Sequence, residues 1–216
     1  MNIASYLKDE WPFILELAFQ HVSLVGIAVG LAIVFGIPVG ILMTRYRWLA
    51  PPFLGAATVV LTLPSIALFG LMIPIFSRFG QGLGALPAVT AVFLYSLLPI
   101  LRNTYLALIN VDAGMKEAGK GLGMTFWQRL RWVELPLAVP VILAGVRSAV
   151  VLNIGIMTIA AVIGAGGLGV LILRAISQSS TEKLLIGVFF VSGLAIFMDL
   201  FLQWLQKILT PKGIRQ

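Results

Sequence analysis

Residues 110–136 read NVDAGMKEAGKGLGMTFWQRLRWVELP and form the one long polar stretch of an otherwise apolar chain. Of the 216 residues, 60% are hydrophobic and 11% are charged, and the mean hydropathy is +1.04. A soluble domain of this length needs far more polar surface than that. The composition therefore predicts an all-α membrane protein in which residues 110–135 form a loop outside the bilayer.

The apolar stretches on both sides of this loop are long enough to cross a membrane, which takes about 20 residues in a helix. We predict five transmembrane helices in a single domain that covers residues 1–216, at about 18–44, 52–76, 83–109, 136–163 and 184–208. Lys8, Asp9 and Glu10 precede the first stretch, so we interpret it as a retained span rather than a signal peptide. An odd number of spans places the two termini on opposite sides.

The distribution of positive charge predicts which side is cytoplasmic. With the N-terminus outside, ten lysines and arginines lie in cytoplasmic segments and four lie outside, while Arg147 falls within a span. The ten are Arg45, Arg47, Arg102, Lys116, Lys120, Arg129, Arg131, Lys207, Lys212 and Arg215. We therefore predict a cytoplasmic loop and a cytoplasmic C-terminus, and the net charge of +7 then faces anionic headgroups rather than nucleic acid.

The loop itself carries signals for two short helices. Asp112 is placed to cap a first helix that ends near residue 121, and the glycine at position 123 permits a sharp turn. Thr125 and Gln128 have the spacing of a capping box at the start of a second helix, and Pro136 suits the first turn of the next span. Short helices with exposed apolar side chains need a partner groove or the membrane surface. These side chains are Met115, Leu122, Met124, Phe126 and Trp127.

The loop resembles the cytoplasmic signature of ABC-importer permeases, which reads Glu-Ala-Ala, three residues, Gly, nine residues, Ile-x-Leu-Pro. The matching residues are Glu117, Ala118, Gly119, Gly123, Val133, Leu135 and Pro136. The spacing agrees at every step, although Gly119 replaces the second Ala and Val133 replaces Ile. The resemblance implies a type I ABC importer (methionine-permease-like) fold, in which this segment is the coupling helix that docks on an ATP-hydrolysing subunit. The alternative is an amphipathic interfacial helix without a partner.

Residues 63–68, 94–105 and 163–169 are similar to permeases of osmoprotectant importers, which carry glycine betaine, carnitine and choline. The resemblance implies a permease subunit of an ATP-driven importer in the bacterial inner membrane. Its implied partners are two ATP-binding subunits that hold ATP and Mg²⁺, an extracytoplasmic substrate-binding protein, a second permease copy and membrane lipid. A permease for amino acids such as methionine shares much of the pattern, and an ion-coupled secondary carrier and a membrane scaffold are further alternatives.

Several kinds of chemistry find no support in the sequence. With no cysteine and one histidine, the chain lacks the usual residues of a metal site. The phosphate-loop motif of ATPases is absent, so we expect no ATP hydrolysis and no cofactor in this subunit. Gly164–Gly169 satisfies a Gly-x-Gly-x-x-Gly pattern, but it follows a membrane span rather than a strand. We interpret it as a break at the outer mouth of a path, where it could act as a gate.

Arg147 and Asp199 are the two charges well inside predicted spans. Their depths from the cytoplasmic side are about 16 and 12 Å, so the two side chains can pair, as a structural ion pair or as part of a transport path. His21 is expected to be a polar anchor. The candidate path residues, each also able to form a helix–helix hydrogen bond, are Pro64, Ser65, Tyr95, Asn103, Asn153 and Thr158.

Overall fold

The computed structural model describes residues 3–210, and within them every regular element is helical. The helices are α1 (Ile3–Arg45), α2 (Ala50–Thr62), α3 (Ser65–Ser77), α4 (Ala85–Ile109), α5 (Ala113–Gly121), α6 (Phe126–Arg129), α7 (Leu135–Ile159), α8 (Gly169–Ser177) and α9 (Thr181–Leu209). A π-helical turn, Leu130–Glu134, joins α6 to α7. The tail with Lys212 and Arg215, which contributes to the predicted orientation, lies outside the described residues.

Four of the five predicted spans are continuous helices that are long and apolar enough to cross a membrane. The second is different, because α2 and α3 meet at an angle of 105°. The second predicted span, over residues 52–76, is therefore two helices joined at a bend rather than one continuous helix. The break falls where physical chemistry requires it: Leu63 is extended because the α conformation is disfavoured before proline, and Pro64 has no N–H to donate.

Contacts at the helix ends show that this broken segment is a crossing of its own. The Arg45 guanidinium at the end of α1 lies 5.0 Å from the Phe126 ring, so α1 ends beside residues 110–135, at what we call the loop end. The Gly84 N–H, at the start of α4, donates to the Ile163 carbonyl (2.8 Å). Ile163 lies just beyond the end of α7 that is distant from the loop, which we call the far end. Residues 46–84 therefore pass from the loop end to the far end.

The remaining helices complete five crossings. A Cβ at Gly36 would lie 2.9 Å from Ile100, and one at Gly40 would lie 2.7 Å from Thr104, so α1 and α4 run parallel in close contact. The Gln206 side chain of α9 donates to the Pro140 carbonyl near the start of α7 (2.9 Å), so these two helices are antiparallel. The first and last described residues consequently lie at opposite ends of the bundle.

Helix α1 begins well before the predicted start at residue 18. It has 43 residues and a length of about 65 Å, roughly twice the thickness of the hydrocarbon core. Its first half packs on α8, where Ile14 and Leu17 form a buried cluster with Leu168 and Leu171. The charges at positions 8–10 therefore belong to the helix rather than to an irregular leader.

Candidate coupling surface and membrane path

The loop end begins with a fixed connection between α4 and α5. The Asp112 carboxylate accepts a hydrogen bond from the Met115 N–H (3.0 Å) and caps α5, as its position predicts. The Lys116 ammonium donates to the carbonyls of Leu108 and Ile109 (2.9 and 3.0 Å), which are free because α4 ends there. These bonds fix the direction in which α5 leaves the bundle.

The connection from α5 to α6 is a tight turn. Gly123 has a φ of +73°, a conformation that glycine adopts without steric cost. The Met124 N–H returns to the Gly119 carbonyl (3.1 Å). Thr125 and Gln128 then form the predicted capping box, with each side chain bonded to the other's backbone N–H. Helix α6 is therefore held at a defined angle to α5.

A buried salt bridge links α6 to the base of α7. The Arg129 Nε lies 2.6 Å from the Glu134 carboxylate, and these side chains are only 15% and 5% exposed. The Arg129 guanidinium also lies 5.8 Å from the Phe126 ring, which the Arg45 guanidinium contacts as well. The loop is thus connected to α1 as well as to α7.

Gly119, one of the two departures from the permease signature, packs directly on this salt bridge. A Cβ at position 119 would lie 3.2 and 3.3 Å from Cγ and Cδ of Arg129. An alanine would therefore press on the arginine stem. In this chain, the missing methyl group gives Arg129 the space to reach Glu134.

The signature residues divide into exposed and packed groups. Glu117 and Ala118 are exposed, Gly119 is buried, and the three signature residues near α7 are half-buried. Three of the five apolar side chains expected to be exposed are so: Met115 is 50% exposed, Leu122 77% and Trp127 56%. The other two, Met124 and Phe126, are half-buried. We call the three exposed side chains with Glu117 and Ala118 the coupling surface. It has no cover within the described residues.

Tyr95, a predicted path residue, instead stabilises the break in the second span. Its hydroxyl donates to the Leu63 carbonyl (2.8 Å), which the interrupted helix leaves without an intrahelical partner, and its side chain is 2% exposed. Pro64 is exposed and Ser65 is half-buried. Helix α4 therefore holds the break in position, and the other side of the break, at Pro64, is exposed.

Two asparagines have different surroundings. Asn153 is fully buried and donates to the Ser96 hydroxyl (2.9 Å) and the Ala149 carbonyl (2.8 Å). Asn103 is partly exposed at an open hollow and donates to the Pro99 carbonyl (2.8 Å). Among the described residues, the Thr158 hydroxyl donates its hydrogen bond to the Gly155 carbonyl of its own helix. The six predicted path residues therefore do not form one cluster.

The two intramembrane charges lie side by side. Arg147 Nε and Nη2 donate to the two carboxylate oxygens of Asp199, at 2.5 and 2.6 Å. This bidentate pair joins α7 to α9. The side chains remain 29% and 32% exposed and line an open hollow of about 490 Å³.

The glycine-rich segment at the far end is held by α1. The Gly167 N–H donates to Gln20 Oε1 (3.0 Å), and the Leu168 N–H donates to His21 Nδ1 (3.2 Å). His21 is fully buried and also bonds the Ile154 carbonyl through Nε2 (3.1 Å), so it is an anchor between helices. Positive φ angles at Gly164, Gly166 and Gly167 make the segment a compact turn. No sequence signal singles out Gln20.

These features are those of a multi-pass membrane permease. The chain belongs to the family described as binding-protein-dependent transport system inner membrane components, which matches residues 17–212. It is 60% identical over 215 residues to the osmoprotectant import permease protein OsmW of Salmonella typhimurium, and the alignment covers 100% of both chains. It is 40% identical to the glycine betaine/carnitine/choline permease OpuCB of Bacillus subtilis, covering 99% of this chain and 96% of that one. The similarity to osmoprotectant permeases that the sequence indicates is confirmed.

Solved structures confirm the predicted fold class. The chain resembles the inward-facing MetNI methionine ABC transporter with a TM-score of 0.80 and 20% identity, over 92% of this chain and 97% of that chain. It also resembles an amino acid ABC transporter crystallised with histidines, with a TM-score of 0.79 and 19% identity over 96% and 99%. The fold is therefore that of an ABC importer permease.

Proposed function

We propose that this chain is the membrane-spanning subunit of an ATP-driven importer for quaternary-amine osmoprotectants of the glycine betaine, carnitine and choline type. The observation that carries the proposal is the 60% identity, over the full length, to an osmoprotectant import permease. Two further relatives are named for choline or for glycine betaine, carnitine and choline transport. The chain itself supplies the passage and the mechanical connection, and it is not an enzyme.

The coupling surface is the docking site for the ATPase in this proposal. Its apolar side chains protrude at one end of the bundle, and the capping bonds and the Arg129–Glu134 pair connect it to α4 and α7. Two ATP-binding subunits, which hold ATP and Mg²⁺, dock on two permease copies. When ATP closes the ATPase subunits, the motion passes through α5 to the spans. The excess of positive charge near the loop end supports a cytoplasmic loop and an N-terminus outside.

An extracytoplasmic binding protein delivers the substrate in this scheme. The family description itself names dependence on a binding protein. Quaternary ammonium groups are held tightly by aromatic cages. The hollows described above are open, which suits passage rather than tight capture.

Two alternatives differ in substrate or in energy source. The solved structures that share the fold are amino acid and methionine transporters, and at about 20% identity they support the fold alone. An ion-coupled carrier needs an intramembrane carboxylate that is free to bind the ion. Asp199, a carboxylate of α9, is paired with Arg147, so the pair has no net negative charge to hold a lone cation.

Uptake by the reconstituted complex tests the proposal. Proteoliposomes should contain this chain, the ATPase subunit and the binding protein. We expect them to accumulate labelled glycine betaine only with ATP, and accumulation should survive ionophores that collapse ion gradients. An unlabelled excess of choline should compete and methionine should not. Uptake that does not depend on ATP but is driven by an ion gradient would contradict the proposal.

A further inference from the structure

Arg147 and Asp199 form a partly exposed ion pair within the membrane-spanning helices. Arg147 is the central residue of α7, with twelve residues on either side, and therefore lies near the midplane of the bilayer. Charges at this depth are costly in contact with lipid and nearly always face protein or water. The surface around Arg147 and Asp199 is therefore not a lipid-facing surface.

Two separate hollows border successive turns of α7, and the ion pair lies in the second of them. At the loop end, a hollow of about 500 Å³ is bordered by Asn103, Asn110 and Val141. One helical turn further along α7, Ala144 borders the hollow that contains the ion pair, and Ser148 follows on the same face. Polar groups are thus distributed from the loop end to the midplane.

The opposite face of α9 provides a contrast. The side chains of Phe197, Phe201 and Trp204 are 44% to 63% exposed there, and this aromatic surface is typical of contact with lipid. We infer that the hollow at the ion pair and the aromatic face of α9 meet different surroundings. In many secondary transporters the substrate binds near the bilayer midplane.

The ion pair still has groups available to bind a ligand that carries one positive and one negative charge. Two of the five guanidinium N–H groups of Arg147 donate to Asp199. The other three have no described partner, and together they can hold a second carboxylate. Each Asp199 oxygen accepts one hydrogen bond, so the carboxylate can still attract a quaternary ammonium group, which needs no hydrogen bond.

We propose that the hollow at Arg147 and Asp199 is a transit site for a zwitterion, whose carboxylate contacts Arg147 and whose ammonium group lies against Asp199. This inference rests on the proposed function and specifies the charges of the substrate that binds near the midplane. A zwitterion can meet both charges of the pair at once, so each of its own charges has an opposite charge beside it at this site. A simple cation such as choline gains only the Asp199 contact and meets the positive charge of Arg147.

The accessibility of the hollow can be measured directly because the natural chain has no cysteine. Ser148→Cys places a thiol in the hollow, and Phe197→Cys places a matched thiol at a similar depth on the opposite face of α9. The complete complex in proteoliposomes is treated with a membrane-impermeant trimethylammonium methanethiosulfonate. We expect Ser148→Cys to react at least about tenfold faster than Phe197→Cys, because only the thiolate in water reacts, and glycine betaine should slow the reaction.

The double variant Arg147→Gln/Asp199→Asn tests the chemistry of the pair. It removes both charges together and so leaves no unpaired buried charge. We expect the complex to assemble and the ratio of glycine betaine to choline uptake to fall by about tenfold or more, since the charged contacts to the carboxylate are lost.

Each outcome separates this inference from the proposed function. If the wild-type complex takes up neither compound with ATP, the proposed function fails. If wild-type uptake is normal and the double variant keeps the same ratio, the transit site is wrong. A thiol at position 148 that does not react shows that the hollow faces lipid, and this overturns the inference. A disulfide between two permease copies at position 148 shows a subunit interface there and overturns it as well.

Discussion

Arg129 and Glu134 form a 2.6 Å salt bridge although they are five residues apart in one helical segment. In an α-helix, side chains at this spacing point about 140° apart and do not meet. The π-helical turn Leu130–Glu134 widens the helix and brings them to the same side. The ion pair and the π-turn therefore depend on each other at the point where the loop joins α7.

Breaking this pair should uncouple the loop from the span. We expect Glu134→Gln to lower the stability of the assembled complex by about 3 kcal/mol, because it leaves Arg129 buried without its counter-ion. ATP-driven uptake should fall more than ATP hydrolysis does. Thermal unfolding and the ratio of substrate moved to ATP hydrolysed measure the two effects.

An apolar double variant is the control for this prediction. Arg129→Met/Glu134→Leu has no unpaired charge, so it should recover most of the stability lost by Glu134→Gln. If Glu134→Gln leaves both stability and the transport ratio unchanged, the salt bridge has no role in coupling.

A methyl group at position 119 should disturb the same contact. We expect Gly119→Ala to reduce uptake because its Cβ would press on the Arg129 stem at 3.2 Å. Gly121→Ala is the matched control, since position 121 lies in the same short helix with open space around it, and there alanine should be harmless or favour the helix. The effect of Gly119→Ala should disappear in an Arg129→Met background. Equal uptake by the two single variants would contradict this explanation.

The contact between α4 and α7 depends on Gly145. A Cβ there would lie 2.6 Å from Asn103 Cβ and 2.8 Å from the Pro99 carbonyl, so neither helix can accommodate it without moving apart. We expect Gly145→Ala to lower stability by about 1–3 kcal/mol, as overpacking does. Gly155→Ala, on the same helix with nothing within 4 Å, should change little. Thermal unfolding of the purified chains compares the two variants. An equal shift in Tm for both would show that the close approach of α4 and α7 does not limit stability.

The sequence predicts the features that depend on local chemistry. Asp112 and Thr125 cap their helices as their side chains and spacing indicate, and apolar length gives the number of crossings. The spacing of the loop signature identifies a family that the comparisons confirm. These signals lie within a few residues of the structure that they determine.

The features missed by the sequence depend on tertiary contacts. The role of Tyr95 at the 105° bend depends on a hydrogen bond to Leu63, which lies 32 residues away. The early start of α1 depends on packing against α8, and the role of Gln20 depends on a turn 147 residues further on. The π-turn is local, but Leu130–Glu134 contains no glycine or proline that would mark it in the sequence.

Association of the ATPase subunit with the coupling surface tests the central claim most directly. Leu122 is 77% exposed on that surface, and Phe79 is 74% exposed near the far end of the bundle, so Leu122→Asp and Phe79→Asp are matched changes. We predict that the ATPase subunit co-purifies with wild type and with Phe79→Asp, and that Leu122→Asp loses both the ATPase subunit and ATP-driven uptake. Full retention of the ATPase subunit and of uptake by Leu122→Asp would contradict the assignment of this loop as the coupling surface.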